Sequence, residues 1–207
     1  MSAVDFLRRW RWRHSLRQAN YLSLLDPAPE REWISVDCET TGLNPRQDEI
    51  ISIGAIPIRG NQILMSQRLE LLIKPSGRLK KENILIHRLR HKDLEFGLSP
   101  TEAAERFLAF VGSRPLVGYY LEFDVAMLNR LVRPFLGVGL PQARIEVSGL
   151  YYDYKFAKRW DSNVDLSFEA IRQDLRLPAL GEAHEAISDA LMAALMFVKL
   201  RRLLRKD

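Results

Sequence analysis

The stretch from Trp33 to Cys38 reads WISVDC, and the stretch from Glu49 to Ile58 reads EIISIGAIPI. Both are short, apolar, rich in β-branched residues and bounded by polar or turn-forming residues, which marks them as buried strands. Arg59-Gly60-Asn61-Gln62 turns the chain, and a third strand is expected over Ile63 to Ile73. Three strands in succession predict an antiparallel meander. Downstream, the pattern changes to helices. Ser99-Pro100-Thr101-Glu102 supplies an N-cap, a proline in the first turn and the acid of a capping box, and Gly112 supplies a stop. Pro115 to Tyr119 reads as a fourth strand, Glu122 to Arg133 as a helix ended by Pro134, and Arg144 to Ser148 as a fifth strand. Three more helices are expected over Leu150 to Arg159, over Leu166 to Leu175 with Asp165 as N-cap, and over Ala186 to Leu204. The order βββαβαβααα is that of an α/β domain with a mixed sheet. It excludes an all-parallel doubly wound fold and an all-α bundle.

The chain has 207 residues, 47% hydrophobic and 28% charged, which is the balance of a globular protein with a single core. Residues 31–207 form the expected folded domain, preceded by a basic arm over residues 1–30 that Pro27 and Pro29 close off. One cysteine, Cys38, excludes an internal disulfide framework and fits a reducing compartment, so the cytoplasm is the expected location. No apolar run has membrane-spanning length, and Arg8, Arg9, Arg11, Arg13 and Arg17 interrupt the N-terminus too often for a secretion signal. The net charge of +5 favours a polyanionic partner without naming one. Within the arm, Arg8 to His14 reads RRWRWRH. Guanidinium groups on phosphates and indoles on bases are one reading, and a helix that buries Trp10 and Trp12 while its arginines stay solvated is the other.

Chemistry concentrates in three acidic segments. Asp37 and Glu39 flank Cys38 on a strand, so they share one face while Cys38 enters the opposite layer. Two carboxylates side by side repel each other unless a cation sits between them. Asp124 opens the helix that follows the fourth strand, where an acid also suits the helix dipole. The third segment, His184 to Asp189, reads HEAISD and enters the last helix. Five helical steps would put these two side chains about 140° apart, so His184 belongs to the preceding loop or points elsewhere. Asp189 shares a stripe with Ala193, Met196, Leu200 and Leu203, where an acid is costly without a partner. Asp37, Glu39, Asp124 and Asp189 together supply the hard oxygen ligands that Mg²⁺ or Mn²⁺ prefers. Two such ions about 4 Å apart can activate water and stabilise the leaving 3′ oxygen of an in-line phosphoryl displacement, with His184 as the base.

These residues resemble the DEDD exonucleases, in particular the DEDDh branch that contains the proofreading epsilon subunit of bacterial DNA polymerase III. The resemblance rests on VDCETTGL at 36–43, DEIISIGA at 48–55, Phe123-Asp124, and His184 with Asp189 at the family's five-residue step, and it covers roughly residues 32–200. It implies a ribonuclease H-like α/β fold, a mixed five-stranded sheet flanked by helices. It also implies a two-metal 3′-to-5′ exonuclease that releases nucleoside 5′-monophosphates from DNA, or from short RNA. Carried over, Asp37 bridges both ions, Glu39 and Asp189 complete one site, Asp124 serves the other, and His184 is the general base. Thr40 and Thr41 then border the terminal nucleotide, Leu43 wedges against its base, and Glu82 and His87 contact the nucleotide or its phosphate.

Two positions depart from the family pattern. Tyr119-Tyr120 replaces a frequent His-Asn, and Ser148-Gly149 replaces a frequent Asp-Thr. The partners implied are single-stranded DNA or RNA 3′ ends, with a DNA polymerase or a repair complex as the macromolecular class. The chain ends soon after the last helix, so a stand-alone repair, turnover or salvage exonuclease is the expected context. A silent nucleic-acid-binding module is the alternative. Intact carboxylates argue against it, because an unused acidic cluster only destabilises.

Overall fold

The structure, a computed structural model, describes residues 12–77, 89–158, 164–180 and 185–204. Six strands form one mixed sheet among these residues: β1 (Glu32–Thr40), β2 (Ile50–Arg59), β3 (Gln62–Ile63), β4 (Leu69–Leu72), β5 (Leu116–Gly118) and β6 (Arg144–Glu146). The spatial order is β3-β2-β1-β5-β6, and β4 also pairs with β2. The β2 pairings with β1, β3 and β4 are antiparallel, whereas β1–β5 and β5–β6 are parallel.

The expected α/β class with a mixed sheet is what folds, but the sheet has six strands rather than five. The predicted strand from Ile63 to Ile73 breaks into β3, a 3₁₀ turn at Met65–Gln67, and β4. Pro57 is the reason. The Leu64 N–H donates to the Pro57 carbonyl at 2.9 Å, but proline has no N–H with which to return the bond. Pairing therefore stops there and resumes at Leu69 opposite Ala55.

Helices cover both faces: α1 (His91–Leu94), α2 (Pro100–Val111), α3 (Leu121–Leu136), α4 (Val147–Lys158), α5 (Phe168–Asp174) and α6 (Ala186–Leu204). On one face, Ile34, Val36 and Cys38 pack with Phe107 and Leu108 of α2 and with Val125, Leu128 and Val132 of α3. On the other, Val117 and Ile58 pack with Tyr151 of α4 and with Ala193, Met196, Phe197 and Leu200 of α6. The Ser99 capping box forms as predicted, with Ser99 and Glu102 exchanging hydrogen bonds. Leu203, expected on the buried stripe of α6, is exposed.

Three helices depart most from their expected boundaries. Helix α4 starts at Val147 rather than Leu150, because the strand expected to reach Ser148 ends at Glu146. Helix α3 continues through Pro134 to Leu136 because Leu136 is fully buried and the free carbonyls of the last turn have partners. The Arg17 guanidinium donates to the Pro134 carbonyl at 3.0 Å, the Arg17 N–H donates to the Leu136 carbonyl at 3.1 Å, and Gly137 closes the helix at φ +77°. Helix α5 starts at Phe168 rather than Leu166. Ser167, not Asp165, is its N-cap, and Asp165 accepts the Ser167 N–H in a turn just before it. Of the arm, residues 12–15 form a helical turn and Ala19–Leu25 a 3₁₀ helix that buries Leu24 and Leu25; Trp10 lies outside the described residues.

Candidate active site

Parallel pairing places the C-terminal ends of β1 and β5 side by side, with Ser35 opposite Val117. Ligands gather at such strand ends because the chain leaves the sheet there and opens a crevice. Asp37 and Glu39 lie at this end of β1. The two half-buried carboxylates alternate with buried Val36, Cys38 and Thr40, as the strand period requires. Residue Ser35 on the same face donates its hydroxyl to the Ala190 carbonyl of α6 at 2.7 Å, which ties the start of α6 to β1.

Gly54 sets how close α6 can come. It pairs with Asp37 across the β1–β2 ladder, and a Cβ built on it would lie 2.4 Å from the backbone of Ala186 and Ile187. Helix α6 therefore enters directly over the sheet beside Asp37, and its first turn carries Asp189. One carboxylate oxygen each from Asp37, Glu39 and Asp189 lies within 4.8 Å of the others. Oxygens on opposite sides of a bound Mg²⁺ are about 4.2 Å apart, so the triad fits a small divalent cation with slight inward movement.

Asp124 arrives from the first turn of α3 and is 4% exposed. Its Oδ1 accepts the Cys38 backbone N–H at 3.0 Å, so the fourth carboxylate is fastened to the strand that carries the first two. Burial raises the Asp37 carboxyl well above its ordinary range, and the charges of Asp124, Asp189 and Glu39 push it further. Burial, then the charge of Asp189, lifts Glu39 to about 7. Burial lifts Asp124 to about 8, despite hydrogen bonding to Cys38 that acts the other way. The Cys38 thiol, buried and beside Asp124, is pushed up as well and stays protonated.

These directions fix a pH dependence. Glu39 and Asp124 hold protons in the fold up to about pH 7 and 8, while in the unfolded chain they lose them near 4. The folded state therefore binds more protons across that interval, and stability falls as pH rises through it. In a chelator, the melting temperature is expected to drop between pH 5 and pH 8, roughly spanning the two ionisation ranges. Added Mn²⁺ is expected to restore it, and to do so more strongly at pH 8 than at pH 5.5, where protons compete for the same oxygens. A Mn²⁺ effect that is the same at both pH values would contradict this picture.

Thr40, Thr41 and Leu43 sit where β1 gives way to a loop. Thr40 is buried and donates to the Gly42 carbonyl at 2.7 Å, and the Thr41 hydroxyl donates to Asp48 while accepting the Glu49 N–H. The threonine hydroxyls thus shape the loop, and Leu43 at its tip is 85% exposed. His184, Glu82 and His87 lie outside the described residues.

Sequence reasoning missed Glu146. Its carboxylate accepts the N–H groups of Tyr120, Leu121 and Ser148 and the Ser148 hydroxyl, at 2.8 to 3.1 Å. It thereby satisfies the start of α3 and holds Tyr120 in a left-handed conformation at φ +55°, four residues before Asp124. The two departures from the family pattern, at Tyr120 and Ser148, meet at this one side chain. An acid at the end of β6 was the available signal, but nothing in the sequence places it under the start of α3.

A mixed sheet that gathers acids from two helices and one strand end defines the class: an α/β protein with a carboxylate centre. Residues 34–197 match the RNase_T exonuclease family, and the chain belongs to that family. It is 29% identical over 174 residues to a DNA polymerase III PolC-type protein of Thermotoga maritima, an alignment covering 84% of this chain and 12% of that protein. It is 21% identical over 180 residues to the DNA polymerase III subunit epsilon of Aquifex aeolicus, covering 86% and 85% respectively. Among solved structures, E. coli exonuclease I in complex with a dA16 oligonucleotide superposes with a TM-score of 0.71 at 15% identity, over 84% of this chain and 42% of that one. The chain thus spans about an eighth of the length of the PolC-type relative. No described helix is long and apolar enough to cross a membrane.

Proposed function

We propose that the protein is a divalent-metal-dependent 3′-to-5′ exonuclease that acts on single-stranded ends, DNA in preference to RNA, and releases nucleoside 5′-monophosphates. The observation that carries this reading is the convergence of Asp37, Glu39 and Asp189 within 4.8 Å, with Asp124 fastened beside them. Asp37, Glu39 and Asp189 would hold one Mg²⁺ or Mn²⁺, and Asp37 with Asp124 a second. When bound, such a pair supplies Lewis-acid stabilisation of the phosphoryl oxygens and a more acidic water. The chain's own residues do the rest. His184 takes the proton from the attacking water, since its unperturbed pKa of about 6.5 suits a base near neutrality. Leu43 is exposed on its loop and meets the terminal base, while Thr40 and Thr41 fix the loop that presents it. Glu82 and His87 are assigned to the terminal nucleotide or its phosphate. Residues 31–207 form the catalytic unit and residues 1–30 its arm. The buried thiol of Cys38 suits a reducing, cytoplasmic setting, and a DNA polymerase or repair complex is the partner class.

The test is hydrolysis of matched 5′-labelled DNA and RNA oligonucleotides with Mg²⁺, Mn²⁺ or EDTA. A ladder that shortens from the 3′ end, requires metal and runs faster on DNA is expected. Cleavage in EDTA, or shortening from the 5′ end, would overturn the reading, and a faster RNA ladder would reassign the substrate.

A further inference from the structure

A second surface, apart from the carboxylates, carries a large excess of positive charge. The arm crosses the C-terminal end of α3, and between them lies a groove of about 650 Å³ to which Arg17, Arg130 and Arg133 contribute together with Pro45. An adjoining groove of about 830 Å³ shares Asn129, Arg133 and Gly137 and extends to Arg144 and Trp12. No Asp or Glu lines either one among the described residues. Two of the four guanidiniums are anchored, Arg17 to the Pro134 carbonyl and Arg130 to the Asp48 carbonyl at 2.8 Å. Those of Arg133 and Arg144 form no hydrogen bond or ion pair with a described residue.

Compensation of the helix dipole accounts for only a small part of this charge. A helix C-terminus carries about half a negative charge, and Arg17 already sits on one of its carbonyls. The unpartnered guanidiniums of Arg133 and Arg144, in grooves that no described acid lines, leave a surplus that the fold does not use. Gln142 in the same wall is 7% exposed, donates to the Gly112 carbonyl, and leaves its Oε1 without a partner among the described residues.

In the chain, one loop joins the candidate active site to the groove. Pro45, which lines it, is two residues from Leu43, and Arg130 holds the Asp48 carbonyl at the base of that loop. Arg133 lies nine residues beyond Asp124 on α3, about 14 Å along the helix axis and half a turn around it. A stacked strand advances about 3.4 Å per nucleotide, so a strand leaving the carboxylates passes at least about four phosphates before it reaches Arg133.

We propose that this groove binds the sugar-phosphate backbone of a single strand upstream of the 3′ end in the carboxylate site, beginning at least about four nucleotides from it, with Arg133 and Arg144 as free phosphate contacts. The proposal rests on the exonuclease reading. Nucleic acid is favoured over an acidic protein because the groove adjoins the loop that borders the carboxylates.

The experiment pairs Arg133→Gln with Arg144→Gln, two side chains that hold nothing else in place, so the double variant is expected to melt like the parent. Binding of a fluorescent 12-mer and a trinucleotide of single-stranded DNA is measured in EDTA across a salt series, and hydrolysis of the p-nitrophenyl ester of thymidine 5′-monophosphate is measured with Mn²⁺. The 12-mer is expected to bind about tenfold more weakly, with the salt slope reduced by about 1.4 for two lost phosphate contacts. Trinucleotide binding and ester turnover are expected to stay unchanged. An unchanged 12-mer slope, or equal losses for both oligonucleotides, would overturn the groove. So would a parent protein that binds poly-glutamate but not the 12-mer, which would assign the surface to an acidic protein. Because binding is read without metal, failure of hydrolysis leaves this comparison intact and counts only against the exonuclease reading.

Discussion

Asp37→Asn is expected to remove exonuclease turnover by about a thousandfold or more while raising the melting temperature measured in EDTA at pH 8. The two effects share one cause. Asp37 faces the charges of Asp124, Asp189 and Glu39 at the same strand end, and burial adds to the cost of its ionised form. Without a cation, the negative charge at this position is a liability to the fold. The amide keeps the shape, loses the charge and relieves its three neighbours. The same charge is what would hold both cations, and each 1.4 kcal/mol of lost transition-state stabilisation is about a tenfold loss in rate. The check is a melting curve in EDTA beside an oligonucleotide ladder with Mg²⁺. A variant that loses activity and also melts lower would point to damage to the fold and count against a charge-strained site. Near-parental turnover would reject Asp37 as a metal ligand.

Gly54→Ala is expected to cost about a hundredfold in turnover and to lower stability by about 1–3 kcal/mol, although residue 54 bears no functional group. The added methyl would meet the backbone at the start of α6, which cannot yield as the tip of a flexible side chain can. The start of α6 must lift off the sheet, and that moves Asp189 away from Asp37 and Glu39. Ser35 resists the shift through its bond to the Ala190 carbonyl, so the strain falls on the first turn, where Asp189 sits. Weaker Mn²⁺ stabilisation of this variant would place the defect at the cation site. Gly54→Ala with full activity and unaltered Mn²⁺ stabilisation would show that the approach of α6 is not critical.

The elements most legible in the sequence are those whose signal is local. The Ser99 capping box is contained within four residues, and all its hydrogen bonds form. The alternation that puts Asp37 and Glu39 on one side of a strand and Cys38 on the other depends only on the two-residue period. The errors arose where a distant residue decided. The third strand broke because Pro57, on the neighbouring strand, has no N–H for it. Helix α3 ran through Pro134 because Arg17, more than a hundred residues earlier, satisfies its last turn. Glu146 escaped notice because its four donors come from two segments that meet only in the fold.

The sequence by itself determined the α/β class, the family-level resemblance and the four carboxylates, because strand period, helix capping and motif spacing are properties of a single stretch of chain. Tertiary structure alone decided that three of those carboxylates come within 4.8 Å while the fourth is pinned to the Cys38 amide. It also decided that an arm of ambiguous meaning would lie across the end of α3 and complete a basic groove. Both outcomes depend on backbone contacts between distant segments, at Gly54 and Ala186 in one case and at Arg17 and Leu136 in the other. Such contacts exist only once the sheet is paired and the helices have docked on it, so no local pattern of residue types can encode their distances.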